Sequence, residues 1–187
     1  MKKQLLIGQI LAKGKHGIVY DCKYGSKKCV VKKENEKSDS NSTMLKEAIF
    51  LKKLNKYKIG PKLYYFDDNC VVMEKLNGDI IQNFDLKENK NKYIAISVLK
   101  QCFVMDKLGI NKFEMTNPHK HLFVDGKKVT MIDFERCIYT NKPKNVTQFC
   151  EYLRRRGFQI DRNTLVEYKN KICQENFEKV VKMIKVS

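Results

Sequence analysis

No apolar run in the 187 residues approaches the ~18 that a membrane-spanning helix needs, so no membrane association is expected. No two cysteines form a C-x-x-C pair. The seven cysteines, at 22, 29, 70, 102, 137, 150 and 173, are odd in number and have mostly apolar neighbours. This argues against a disulfide framework and for reduced, buried thiols in a cytoplasmic protein. The N-terminal MKKQLLIGQIL is basic and then apolar, but Gly8 and Gln9 break its short apolar run, which is not the pattern of a signal peptide. No internal repeat occurs, so a repeat array is not expected.

Negative charge is scarce. The chain has 38 Lys+Arg against 21 Asp+Glu, a formal net charge of +17. The excess is general: residues 1–133 carry 26 basic against 15 acidic side chains, and residues 134–187 carry 12 against 6. A basic tail is thereby excluded. Two readings stay open, a lysine-rich solvated surface and a face that concentrates anions such as nucleotides or nucleic acid. The length suffices for one compact domain with a substantial core.

The first half reads as strands punctuated by turns. Gln4–Leu11 and Gly17–Lys23 are expected strands joined at Lys13–His16, and Lys28–Lys33 follows the turn Tyr24-Gly25-Ser26. The polar segment 34–42 reads as a mobile loop. Ser42 or Thr43 is placed to cap a helix with Leu45, Ile49, Leu51 and Leu54 as apolar positions. Gly60-Pro61 breaks the chain, and strands Leu63–Phe66 and Cys70–Glu74 flank the turn Asp67-Asp68-Asn69. After residue 76 the character changes. Lys92–Leu108 carries Ile94, Val98, Cys102 and Met105 on one helical face with Ala95, Leu99 and Phe103 beside it, so a buried helix is expected, capped by Gly109. Leu122–Val124 and Val129–Ile132 form a hairpin pattern. A helix near Val146–Arg156 and one long helix from about Thr164 to Ile184 complete an α+β plan, with Leu165, Ile172, Phe177, Val180, Val181 and Ile184 inward.

Four motifs carry chemistry. Residues 11–20 match G-x-G-x-x-G-x-V with Ala12 in the first glycine position, then Gly14, Gly17 and Val19. Glycines between two strands let backbone N–H groups approach phosphate oxygens. Cys29-Val30-Val31-Lys32 is a strand ending in lysine, 18 residues after Gly14, and Glu47 on the following helix is a carboxylate to hold it. Val71-Val72-Met73-Glu74-Lys75-Leu76 leads from a strand into a linker. Val129-Thr130-Met131-Ile132-Asp133-Phe134-Glu135 puts an acid directly after a buried strand, where it can bind Mg²⁺.

In this order and spacing the four resemble the protein-kinase superfamily over about residues 4–136. Within it the chain is similar to the small atypical kinases, the RIO type and the kinase/ATPase subunit of the KEOPS complex. More narrowly it resembles archaeal predicted serine/threonine kinases whose last motif reads Asp-Phe-Glu. The resemblance implies one minimal two-lobed kinase-like domain: a first lobe of residues 1–76 with a five-stranded antiparallel sheet and one helix, and a reduced helical lobe of residues 77–187. It implies ATP and Mg²⁺ (or Mn²⁺) as cofactors. Ala12, Gly14 and Gly17 would cover the phosphates, with His16 at the loop tip. Lys32 would pair with Glu47 and the phosphates. Val19 and Val30 would roof the adenine over Phe123. Met73 would gate the pocket, Glu74 to Leu76 would form the hinge, and Asp133 would bind the metal.

The segment 109–121 departs from the H-R-D pattern and contains no Asp. Glu114 is its one carboxylate and the candidate base. His121 stands where the metal-binding Asn belongs, seven residues after Glu114 rather than five, and Asn117 is an alternative metal ligand. His119 and His121 lack a further His or acid to complete a zinc site. From Glu135 to the next helix there are about ten residues and no Ala-Pro-Glu, which leaves a minimal docking platform. The expected activity is an atypical Ser/Thr protein kinase or ATPase with a protein partner or substrate. Beside it stand a nucleotide-binding pseudokinase, a small-molecule kinase, and a nucleic-acid-binding module carried by Arg154-Arg155-Arg156 and the diffuse charge.

Overall fold

The computed structural model describes residues 4–14, 17–35 and 43–186. His16 at the expected loop tip, Ser42 as a cap, and most of the polar loop lie outside them, as does the side chain of Thr43. The protein is α+β, with a five-stranded antiparallel sheet and five α-helices among the described residues. It divides into two compact units, Met1–Asn77 with Ile132–Arg136, and Gly78–Met131 with Cys137–Ser187. Residues 132–136, expected in the second half, thus belong with the first.

In the first unit β1 (Leu5–Lys13), β2 (Gly17–Tyr24), β3 (Lys27–Glu34), β4 (Leu63–Phe66) and β5 (Cys70–Glu74) form the sheet in the order β1-β2-β3-β5-β4. Strand side chains alternate between faces. Cys22, Cys29, Val31, Cys70 and Val72 therefore bury together on one face, with Leu5, Tyr20, Tyr24 and Tyr64 packed against them. Val30 and Lys32, one residue out of phase, take the opposite face.

The helix α1 (Thr43–Asn55) packs against β3, β4 and β5. Its buried positions are Met44, Glu47, Ala48, Phe50, Leu51 and Leu54. This corrects the expected stripe. Ile49 faces outward, 48% exposed, because it lies 100° around the helix from Ala48, and Leu45 is half-buried. Asn55 fastens the exit from α1, donating to Ile59 O (3.1 Å) and Pro61 O (3.0 Å) and accepting from Leu63 N (2.8 Å). Gly60 has φ of 80°, and a Cβ there would lie 2.6 Å from Leu51 Cδ1 and 2.9 Å from Phe134 Cε2. The break in the sequence is therefore also a packing requirement.

In the second unit β6 (Asp79–Ile80), β8 (Leu122–Asp125) and β9 (Lys128–Met131) form a three-stranded sheet, β6-β8-β9, and β7 (Ile110–Asn111) pairs with β10 (Ile138–Tyr139). The hairpin of β8 and β9 closes on Asp125 and Lys128. The central helix α2 (Lys92–Lys107) buries all seven expected apolar positions, and Gly109 ends it with φ of 65°. Next, α3 (Asn145–Arg155) stops before Gly157, where φ is 85°.

The expected long C-terminal helix is two helices, α4 (Arg162–Asn170) and α5 (Gln174–Val186). Asp161 caps α4 by accepting from Thr164 N at 2.7 Å. The chain leaves the helical region at Lys171, and Asn176 Nδ2 donates to Glu167 O (3.2 Å) and Lys171 O (3.0 Å) across the break. The split turns Tyr168 inward beside Phe177, which stacks on Phe103 at 4.2 Å between centroids. Leu165, Ile172 and Val181 are consequently half-buried rather than inward. Among the described residues no helix is long and apolar enough to cross a membrane.

Candidate functional site

The first unit gathers its charge around one lysine. Lys32, near the end of β3, shares the α1 face with Val30, so it meets Glu47 where α1 crosses the sheet. Lys32 Nζ lies 2.7 Å from Glu47 Oε2, 2.9 Å from Glu135 Oε2 and 3.4 Å from Asp133 Oδ1. The Lys32 side chain is 13% exposed, and Glu47 and Glu135 are buried. Glu47 is anchored twice, because its Oε1 also accepts from Phe134 N at 3.2 Å. Phe134 is fully buried between the two acids that flank it in sequence. Asp133 has φ of 67°, a strained conformation for a residue with a side chain.

Burial alone would push the Lys32 pKa down. The charges of Glu47, Asp133 and Glu135 outweigh it and hold the pKa above the ordinary lysine value. Glu47, Asp133 and Glu135 each bring an oxygen to within 4.8 Å of the others, a donor set suited to a hard cation. Glu135 was not among the expected site residues. Its signal was present in the Asp-Phe-Glu motif, where two acids two positions apart can turn to the same side of the chain.

The remaining expected positions of this unit lie in two rows across the sheet. Ala12 pairs with Val19, Val19 with Lys32, and Lys32 with Val71. Val30 pairs with Met73 in the neighbouring row. Gly14 N donates to Gly17 O at 2.8 Å, closing the turn between β1 and β2. A Cβ on Gly17 would stand 3.0 Å from Lys33 O and 3.1 Å from Lys32 Cε, so the bare backbone of β2 lies against the lysine stem. Glu74 exchanges bonds with Lys62, N to O at 2.8 Å and Lys62 N to Oε2 at 3.0 Å. Leu76 is half-buried.

The other expected residues belong to the second unit. Phe123 is half-buried and pairs with Ile80 across β8 and β6. Glu114, φ 79°, has Oε2 3.3 Å from His121 Nδ1. The segment therefore brings Glu114 and His121 together, while Asn117 between them is exposed. Helix α3 holds this segment in place. Asn145 Oδ1 accepts from Lys112 N (2.7 Å) and its Nδ2 donates to Ile110 O (2.6 Å). Asp106 in turn accepts from Asn145 N (2.9 Å), Asn145 Nδ2 (2.7 Å), Val146 N (3.2 Å) and Tyr168 OH (2.9 Å). Burial raises the Asp106 pKa despite these bonds.

The arginine triplet is engaged internally. Arg154 forms a two-pronged pair with Glu151, at 2.7 and 3.0 Å. Arg155 donates to Thr116 O, and Arg156 lies over the Tyr152 ring. His119 meets the same ring edge-on at 5.3 Å. Of the three, Arg155 is the one that reaches the 109–121 segment, through Thr116 O.

The chain matches no protein-family model and no curated protein.

Proposed function

We propose that this chain is an ATP-dependent phosphotransferase with a minimal two-lobed kinase-like fold, a small atypical relative of the protein-kinase superfamily acting as a Ser/Thr-type kinase or ATPase. The carrying observation is Lys32 on β3, held at 2.7 Å by Glu47 of α1, with Asp133, two residues past the end of β9, at 3.4 Å. A strand-borne lysine oriented by a helical glutamate is the device by which such enzymes place one positive charge on the α- and β-phosphates.

The residues present suit Mg²⁺ or Mn²⁺. Asp133 and Glu135 offer oxygen donors, the ligand type that hard cations prefer. When bound there, the ion would supply charge neutralisation to the transferring phosphoryl group. Lys32 would hold the nucleotide, the missing Cβ at Gly14 and Gly17 would let phosphate approach the backbone there, and Glu114 would take the hydroxyl proton. Its neighbour His121 would orient it. A cytoplasmic location and a protein partner or substrate belong to the same reading.

One observation favours a second reading, a nucleotide-binding pseudokinase: Glu114 is already engaged with His121 at 3.3 Å. Both readings face one experiment. Purified protein is incubated with γ-labelled ATP and Mg²⁺ or Mn²⁺, and label transfer and phosphate release are followed. The wild type is expected to turn over and Asp133→Ala to lose at least about 100-fold, in line with the loss of a charge-stabilising group. Nucleotide binding without turnover moves the assignment to the pseudokinase. Neither binding nor turnover refutes both.

A further inference from the structure

We infer that Glu135 holds, on Lys32, the place of a nucleotide phosphate, and that the chain admits nucleotide by exchanging this carboxylate for the phosphate. Glu135 thereby determines how strongly nucleotide affinity depends on a divalent cation. The inference rests on the phosphotransferase reading and adds a specificity-determining residue to it.

The donor count comes first. A lysine ammonium has three N–H donors. Three carboxylate oxygens surround Nζ, at 2.7, 2.9 and 3.4 Å. An incoming phosphate must therefore displace one of them. Glu47 is poorly placed to leave, since its second oxygen is bound to Phe134 N. Lysine movement is restricted too, because the backbone at Gly17 lies against its stem. Asp133 is the most distant of the three and makes the weakest claim on Nζ. Glu135 is the close, releasable partner, at 2.9 Å, and Lys32 is its one hydrogen-bond partner among the described residues.

Charge points the same way. One ammonium among three carboxylates leaves a formal excess of two negative charges. A metal-free triphosphate adds more negative charge at close range, which repulsion opposes. With a divalent cation present, Asp133 and Glu135 can turn to it and release Lys32 to the phosphates. In the Asp-Phe-Gly pattern of the kinases this chain resembles, the third position has no side chain to compete. Here it is Glu135.

The experiment measures ADP and ATP affinity by calorimetry, in EDTA and in Mg²⁺, for the wild type, Glu135→Gln and Glu135→Asp. In EDTA, Glu135→Gln binds about tenfold more tightly than the wild type, the effect of removing one nearby like charge. Its gain on adding Mg²⁺ is correspondingly smaller, and Glu135→Asp, which keeps the charge, follows the wild type. Folded Glu135→Gln that binds metal-free nucleotide no better than the wild type overturns the exchange and leaves the phosphotransferase reading standing. Nucleotide bound by none of the proteins, with or without Mg²⁺, overturns both. Should Glu135→Gln fail to fold, Glu135→Ala is measured in its place, and the wild type alone must still gain at least about tenfold on Mg²⁺. Equal wild-type affinities in EDTA and Mg²⁺ refute the exchange.

Discussion

Replacing Lys32 by alanine should destabilise the protein substantially, before any effect on chemistry is considered. The substitution removes the one cation from three carboxylates whose side chains are 3%, 7% and 28% exposed, for Glu47, Glu135 and Asp133. Breaking a buried ion pair by removing one partner leaves an uncompensated buried charge, a loss of about 4 kcal/mol. For a chain of this size that corresponds to a melting point lower by about 10 °C. The pH dependence follows from the raised pKa of Lys32. A base whose folded pKa is raised contributes its full stability below the unfolded value, about 10.4, and loses it as pH rises through the folded value. The deficit of Lys32→Ala is therefore flat from neutral pH to about 9. Above about pH 10.4 it narrows, as the unfolded chain gives up the Lys32 proton that the folded protein still holds. Thermal unfolding followed by circular dichroism across this range measures both features. A variant melting within about 2 °C of the wild type at pH 7 would refute the account of the cluster as a mutually dependent charge set. Loss of activity in this variant must be read against its folded fraction, and Asp133→Ala is the cleaner functional control.

Asp106→Ala strips the shared acceptor from Asn145 N, Asn145 Nδ2, Val146 N and Tyr168 OH. It should lower stability by about 3 kcal/mol in urea unfolding, and an effect under about 1 kcal/mol would show that the knot is dispensable. Because burial raises the Asp106 pKa, its ionisation opposes folding. The wild type should therefore gain stability relative to Asp106→Asn as pH falls through the folded pKa, until the unfolded value of about 4 is reached. Burial likewise pushes the Cys22 thiol up to about 12 and Cys70 up to about 11, and raises Cys102 and Cys150. Native alkylation at pH 8, read by peptide mass, should mark the half-buried Cys173 first, and equal labelling of Cys22 would contradict the packing of the β2–β3 face.

Period and punctuation made much of the fold legible. Strands alternating at period 2 and the wide stripe of α2 declare their faces locally, and Gly109 and Gly157 mark helix ends because each takes a left-handed conformation. Failures arose where a local pattern met a tertiary demand. Ile49 looked like a core position of α1, but the buried face rotates toward Met44, Ala48 and Leu51, and Ile49 falls outside it. The C-terminal stretch kept a helical period through Lys171–Cys173, yet the bonds of Asn176 stabilise a break there. Periodicity cannot register a side chain that caps a backbone carbonyl nine residues earlier.

For the candidate site, the sequence by itself determined which residues were eligible: a lysine at a strand end, a helical glutamate, an acid after a buried strand, and glycines between two strands. Their types and order are chemical facts carried by the chain. Only the tertiary structure decided that Lys32 has three carboxylate partners rather than one, and that Asp106 and Asn145 hold the segment bearing Glu114. The reason is distance along the chain. Lys32 and Glu135 are 103 residues apart, and Asp106 and Asn145 are 39. Charge at such separations acts through space, so its balance exists only after folding has brought the groups within a few ångströms.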